Sequence, residues 1–370
     1  MFSKGNESRH ERNRVERSNK AYMVKPSTGV QTYKELVAQF DAWHKNVNLL
    51  CSRSERLRAI RDSCQFHNLI VTGCGTSYYL ALAGAFLFAD IMGTQAVAVP
   101  ASEVSFFPNV YFGETSLVIA LSRSGTTTEV LRAVTASKSL GANVLAITCQ
   151  DASPLVKMAD VSLVAIDAED KSVVQTRSFT TMYIMLLTLA AILGDRHEYI
   201  EQLSMLPTRA KEVFEDAKPL AERLANAKEL KTFIFLGSGH NYGLATGAML
   251  NFKESTLSHT EAYHFMEFRH GPFSIIDNRT LVIGLLSDSA RDHELAVLKE
   301  AREAGAKILA LSDLTINEAD FCISVSGLVE YVRSIAYFPV LHLLSFHKAL
   351  AKGLDPDFPP NLRRVVTLEE

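Results

Sequence analysis

The sequence predicts an α/β protein made of two tandem copies of one unit, each a parallel sheet flanked by helices. Three observations predict it. Short apolar runs alternate with helix-like segments through the first half of the chain. Those runs are apolar throughout, the pattern of strands covered on both faces. The third is an internal repeat: Gly73-x-Gly75-x-Ser77-Tyr78-x-Leu80-Ala81 recurs as Gly237-x-Gly239-x-Asn241-Tyr242-x-Leu244-Ala245, an offset of 164 residues (237 − 73). The same offset relates Gly141 to Gly305 and Val144-Leu145-Ala146 to Ile308-Leu309-Ala310, and Leu121-Ser122-Arg123-Ser124 has an echo, one residue out of step, in Leu286-Ser287-Asp288-Ser289. The period is far too long for a solenoid and implies a duplicated domain.

Taken in order, residues 1–20 are polar and lack apolar periodicity, which predicts a loosely attached arm. Leu36, Val37, Phe40 and Trp43 set an amphipathic helix over Tyr33 to Asn46, and a second helical segment covers Ser52 to Cys64. Asn68 to Thr72 is a strand, followed by the turn Gly73 to Ser77 and a helix from Tyr78 to Met92. Strands are expected at Ala96 to Pro100, Ser116 to Leu121, Asn143 to Thr148 and Val161 to Ile166, with a helix from Val130 to Leu140. The apolar run Met182 to Leu193 is too short to span a bilayer and reads as a buried helix. A helical connection runs from Asp195 to Ala227. The division expected is an arm and helix over 1–50, a first unit over 51–198, a second over 212–350 and a tail over 351–370 that closes the active site.

The composition is that of an ordinary globular chain: 370 residues, 47% hydrophobic, 21% charged, net charge −3. It gives no reason to expect a nucleic-acid or membrane partner. Five cysteines (Cys51, Cys64, Cys74, Cys149, Cys322) without C-x-x-C spacing read as reduced thiols, and no apolar leader opens the chain, so a cytoplasmic protein is expected. Cys74 reads as a small packed residue, not a nucleophile, since no histidine is near it in sequence.

The stretch that organises the chemistry is Ser122-Arg123-Ser124-Gly125-Thr126-Thr127-Thr128-Glu129. It joins a strand to a helix. Such a turn presents unpaired backbone N–H groups and the positive end of a helix dipole, and its hydroxyls can donate to phosphate oxygens. Read alone, the same residues would simply cap the helix, with Glu129 balancing the dipole. The second copy replaces Gly125 to Thr128 with Ala290-Arg291-Asp292-His293, losing the glycine and hydroxyls and gaining a carboxylate that would repel phosphate. It carries instead Phe252-Lys253-Glu254-Ser255, then His259, Glu261, His264, Glu267 and Phe268-Arg269-His270-Gly271-Pro272. No H-E-x-x-H or comparable spacing supports a metal site. A carboxylate with a histidine suits proton transfer beside a carbonyl, and surface polar residues on a helix and loop are the alternative.

These motifs bring the chain close to a known family. Cys74-Gly75-Thr76-Ser77, Ser122-Arg123-Ser124-Gly125, Ser178-Phe179-Thr180-Thr181, Lys253-Glu254, Glu267-x-Arg269-His270-Gly271-Pro272 and the tail through Asp355-Pro356-Asp357 to Asn361-Leu362 resemble tandem sugar isomerase (SIS) domains, over roughly residues 66 to 370. The arrangement is similar to the isomerase half of glutamine–fructose-6-phosphate aminotransferase and to stand-alone deaminases, ketose–aldose isomerases and deglycases. The resemblance implies that Thr76, Ser77, Ser122, Ser124 and Thr127 hold a sugar phosphate, with Arg123 in the same loop where the aminotransferase has glutamine. It implies Glu254 as the base moving a proton between C1 and C2, and His270, reaching across from a partner subunit, as the group assisting ring opening; a homodimer follows. No metal or organic cofactor is implied. Arg364 stands where the family's tail has a lysine, and Asn251 where it has another, three residues before the base. A guanidinium does not form a Schiff base at ordinary pH but can polarise a carbonyl or bind an oxyanion. The Glu-Ile-x-x-Gln-Pro signature and a cysteine glutaminase segment are not seen, so glutamine is not expected to supply ammonia here. The expectation is an isomerase or deaminase acting on a sugar phosphate, an amino sugar 6-phosphate first among them. A fructosamine-6-phosphate deglycase is the enzymatic alternative and a non-catalytic phosphosugar-binding regulator the other.

Overall fold

A computed structural model describes residues 28–64, 66, 68–112 and 116–366, so the expected arm over residues 1–20 lies outside the described residues. The first copy contains β1 (Asn68–Gly73), β2 (Gln95–Pro100), β3 (Ser116–Ser122), β4 (Asn143–Thr148) and β5 (Val161–Val164), and the second β6 (Thr232–Gly237), β7 (His259–His264), β8 (Thr280–Leu285), β9 (Lys307–Ser312) and β10 (Phe321–Ser324). The sheets have orders β2-β1-β3-β4-β5 and β7-β6-β8-β9-β10, the same topology twice. Every strand pairing is parallel. In each sheet the order reverses at the first strand, so crevices open at the carboxyl ends of β1 and β3 and of β6 and β8.

The long helices are α1 (Val30–Cys51), α2 (Ser54–Cys64), α3 (Thr76–Met92), α4 (Thr128–Ser139), α5 (Arg177–Leu193), α6 (His197–Asn226), α7 (His240–Thr256), α8 (Arg291–Glu303), α9 (Glu330–Ala336) and α10 (Phe338–Ala351). The period-2 alternation of strands splits their side chains between layers. Leu69, Val71, Leu117 and Ile119 join Phe233, Phe235, Leu281 and Ile283 in one core shared by both copies, whereas Ile70 and Val118, and Ile234 and Val282, face separate outer layers. Helix α5 fills the shared layer, buried at every position after Arg177, which is why its apolar run shows no amphipathic period.

The two copies meet at the pair α3 and α7. A methyl group on Gly243 would lie 2.3 Å from the backbone N of Ala83, and one on Gly247 would lie 2.5 Å from the Phe179 ring, so glycine permits this close crossing. Through it each copy's first helix runs toward the other copy's crevice.

The structure adds two strands that the sequence reading passed over. β7 is an edge strand whose alternating polar residues, His259, Glu261 and His264 among them, mask its strand character. β10 is a four-residue edge strand. The expected strand Val161 to Ile166 ends at Val164, where the chain leaves the sheet toward Asp167 with φ 53°.

Candidate functional site

A cavity of about 210 Å³ opens at the carboxyl ends of β1 and β3. One wall is the turn Cys74 to Ser77 with the start of α3; another is Ser122, Arg123, Ser124 and Thr127 at the start of α4. Neither helix start is capped by its own side chain, and both aim the positive end of a helix dipole at the cavity. Gly125 makes the turn possible: its φ is 62°, and a Cβ there would lie 2.2 Å from Ser153 Oγ. Within the turn, Gly125 N donates to Ser122 Oγ (3.0 Å) and Thr126 N to Ser124 Oγ (3.2 Å), which orients both serines.

Glu254 enters this cavity from α7, an element of the other copy. Burial pushes its carboxyl up to about 7, against the pull of the Arg123 guanidinium, which lowers it. A carboxyl balanced near neutrality can both take and return a proton. Six of the expected groups on this chain, Thr76, Ser77, Ser122, Ser124, Thr127 and Glu254, therefore line one cavity together with Arg123 and Arg364.

Arg123 and Arg364 face it differently from what the resemblance suggests. Arg123, 5% exposed, donates from Nη1 to Val173 O (2.9 Å) and from Nη2 to Arg364 O (2.7 Å), so its guanidinium ties the tail down. Burial lowers its pKa while Asp170 raises it. Arg364 in turn donates to Asp170 O (2.5 Å) and pairs with Glu169. Asp170 is fully buried and accepts from Thr176 N, Arg177 N and Ser178 N (2.9, 3.1 and 3.0 Å), capping α5 from a distance. The Ser178-Phe179-Thr180-Thr181 motif is thus a cap and a packing seam, with Thr180 Oγ1 accepting from Trp43 Nε1 at 2.9 Å.

His270 is exposed, in the turn after the short helix Phe265–Phe268, and does not line the cavity of its own chain. Asn251, in the place of the family's lysine, is buried and donates to Gln175 O at 2.9 Å. Val173 and Gln175, two lining residues that no motif announces, sit on the loop so held. Burial, with Glu129 beside it, pushes the Cys74 thiol up to about 12, away from the thiolate form. Among the described residues no group of three or more His, Cys, Asp or Glu gathers as for a metal ion, and no helix is long and apolar enough to cross a membrane.

The second copy's turn shows one correction. Asp292, expected to repel phosphate there, is exposed; the carboxylate buried at this turn is Glu294. Its carboxylate accepts from Ser287 N (2.7 Å) and Ser287 Oγ (3.0 Å), occupying the cradle from within. The matching Glu129 of the first copy leaves Oε2 buried and without a hydrogen-bond partner.

The SIS domain family model matches residues 64–192 and 226–320, together more than half of the chain. This chain is a member of the SIS-domain family. Among its relatives are the glutamine–fructose-6-phosphate aminotransferases of Methanothermobacter thermautotrophicus, 30% identical over 85% of this chain and 54% of the relative, and of Pseudomonas putida, 31% identical over 82% and 52%. The chain spans about half the length of these curated relatives. Among solved structures, the glucosamine-6-phosphate deaminase of Thermotoga maritima matches with TM-score 0.79 and 28% identity over 91% of this chain and all of that one. Tagatose-6-phosphate ketose/aldose isomerase of Escherichia coli shares the fold, with TM-score 0.81 and 21% identity over 90% of this SIS chain and 97% of the other.

Proposed function

We propose that this SIS protein is a sugar-phosphate isomerase or deaminase that moves a proton between C1 and C2 of an open-chain amino sugar 6-phosphate. The observation that carries the reading is the meeting of two kinds of chemistry in one cavity: a hydroxyl-lined turn at two helix starts, and a carboxyl at about 7. The phosphate rests on the hydroxyls of Ser122, Ser124 and Thr127 at the start of α4, with Thr76 and Ser77 opposite. The sugar then extends toward Glu254. In the deaminating direction the Glu254 carboxylate takes the C2 proton of the 2-amino-aldose, and the C–H electron pair forms the enolamine. The carboxylic acid returns that proton to C1, giving the ketimine, which water hydrolyses to ketose phosphate and ammonia. The developing oxyanion at C1 needs a donor beside it. The relatives' names agree with this class of substrate.

His270 assists ring opening from a partner subunit in this reading, and the working form is a homodimer. Its exposure on a glycine-proline turn leaves it available to a neighbouring copy. Arg364 lacks Schiff-base chemistry, and its contacts with Asp170 and Glu169 give it a part in holding the tail over the site.

The test is a panel of hexosamine 6-phosphates and fructosamine 6-phosphates, assayed together for ammonia, free amino acid and ketose. Ammonia with ketose from a hexosamine 6-phosphate supports the reading. Amino acid released from a fructosamine 6-phosphate alone would make the chain a deglycase. If no substrate turns over yet phosphosugars bind, the regulator is the better reading.

A further inference from the structure

The second copy has a crevice of its own at the carboxyl ends of β6 and β8, with a cavity of about 540 Å³. It repeats the first site by the internal duplication. The turn Ser238-Gly239-His240 stands for Cys74-Gly75-Thr76, and Ser287-Asp288-Ser289 for Ser122-Arg123-Ser124. The exchange of helices is repeated too. Glu254 crosses from α7 into the first site, and Asp90, at the same offset of 164 residues (254 − 90), crosses from α3 into the second.

The ligand chemistry is inverted. The N–H and hydroxyl of Ser287 are taken by Glu294, and Asp288 N donates to Glu330 Oε2 at 2.7 Å, so these three donors are not open to an anion. Asp288 is neutralised by Arg291 and Arg333, at 2.7 and 2.5 Å. Among the described residues Asp90 and Glu330 have no lysine or arginine in ion-pair contact, although Arg333 still acts on Glu330 and Arg196 on Asp90 from farther away; Asp90 accepts from Tyr331 Oη at 2.5 Å.

Buried acceptors that lack a donor make the second observation. His240 lines the cavity and is 1% exposed. The Ser334 hydroxyl donates to Glu330 O (2.9 Å), so it accepts from His240 Nε2 (3.0 Å), which places the imidazole proton on Nε2. Nδ1 is then a bare lone pair, 3.6 Å from Glu330 Oε1 and outside hydrogen-bond range of it. Asn241, at the place of Ser77 and also 1% exposed, donates Nδ2 to Glu330 Oε1 (3.3 Å) while its Oδ1 has no partner. A buried acceptor left without a donor is costly, and of these two residues it is His240 that lines the cavity. The walls also include Phe86 and Tyr331, aromatic rings that suit a cation, and Tyr199, which already carries Arg196 over its ring at 5.3 Å.

We propose that this second crevice is a binding site for a compact organic ammonium compound without phosphate, its N–H groups seated between His240 Nδ1, Glu330 and Asp90 and its carbon chain against Phe86 and Tyr331. The site is separate from the first, so its occupation does not depend on which sugar phosphate the first site takes.

The test uses the full chain titrated with propylammonium chloride by calorimetry and NMR, with 1-propanol and inorganic phosphate as controls. Propylammonium binds saturably, and 1-propanol at least roughly tenfold more weakly. Asp90→Asn and Glu330→Gln each weaken propylammonium at least roughly tenfold, whereas Ser124→Ala leaves it unchanged. Asp90 is exposed on α3, so its variant keeps the fold, checked by an unchanged melting temperature. Equal binding of propanol and propylammonium, competition by phosphate, or indifference of the affinity to Asp90→Asn overturns the proposal.

Discussion

Glu254→Gln separates a proton-carrying carboxyl from a merely packed one, because it changes stability and activity in opposite directions. The carboxyl is raised from 4.5 to about 7, chiefly by burial. Below about pH 4.5 it is protonated folded and unfolded, and contributes no difference. Between about 4.5 and about 7 the folded chain binds more protons than the unfolded one, so stability falls as pH rises; above about 7 the whole penalty is present. The shift corresponds to about 3 kcal/mol, and the residual exposure of the side chain brings the expectation to about 2–3 kcal/mol. Glutamine cannot ionise, so urea denaturation should find the variant more stable by that amount at about pH 8 and equal to wild type near about pH 4.5. Its C2 proton exchange with deuterated solvent should be lost at every pH. In the wild type, kcat/KM should rise tenfold per pH unit below about 7 and level off above it. A variant equally stable at both ends of that range, or a wild-type profile flat through neutrality, would refute the account of a strained, ionising base.

Ser124→Ala removes one neutral donor to a charged group and should weaken sugar-phosphate binding by about 1.5–3 kcal/mol in calorimetry, with the fold unchanged. Gly125→Ala forces a side chain into φ 62° and against Ser153, and should cost about 1–3 kcal/mol of stability, read by denaturant midpoint, along with phosphate affinity. Mixing inactive Glu254→Gln and His270→Ala chains should restore activity where each site draws on two subunits; continued inactivity of the mixture rejects that arrangement. Asp357→Asn should speed amide exchange of residues 357–366 and raise KM while the melting temperature of the two-sheet core moves little.

Much of the fold was legible because it follows from local rules applied twice. Apolar strands, glycine turns and helix periods in the first copy were enough for β1 to β5, and the 164-residue offset carried the inner strands β1, β3 and β4 into the second. β7 escaped because an edge strand needs no continuous apolar run. In the site, the hydroxyl turn and Glu254 were readable from residue type and motif. The destination of Arg123 was not, since a guanidinium beside two serines suggests a phosphate ligand until Val173 O and Arg364 O are seen to accept from it. Val173 and Gln175 carried no signal at all: they are placed by Asn251 and by the Asp170 cap, contacts 76 residues away for one and a loop's length for the other. The crossing of Glu254 into the first copy's crevice leaves no trace in either copy alone. Only the close pass of Gly243 over Ala83 explains it.

The site is incomplete without the tail, yet little apolar burial holds it. Residues 362–366 line the cavity, yet Phe358 and Val366 are exposed. What fixes the segment is polar and distant in sequence. Asp355 Oδ1 accepts from Gly29 N (3.1 Å), and Asp357 accepts from Gln31 N (3.0 Å), Thr32 N and Thr32 Oγ1 (both 2.7 Å), so two tail carboxylates cap the start of α1. Asp357 O accepts from Val173 N, and Arg364 O from Arg123. On α1 itself, Glu35 accepts from Lys171 N and Ser172 N (2.5 and 3.2 Å), which holds the loop carrying Val173 and Gln175. Helix α1, that loop and the tail are therefore one hydrogen-bonded frame around the cavity, centred on the buried carboxylates Glu35, Asp170 and Asp357. Bonds to charged groups of this kind contribute about 1.5–3 kcal/mol each, enough together to order the tail but far less than the apolar core beneath it. The frame is then the first part of the site to open, and the stable sheets below need not move for a sugar phosphate to enter.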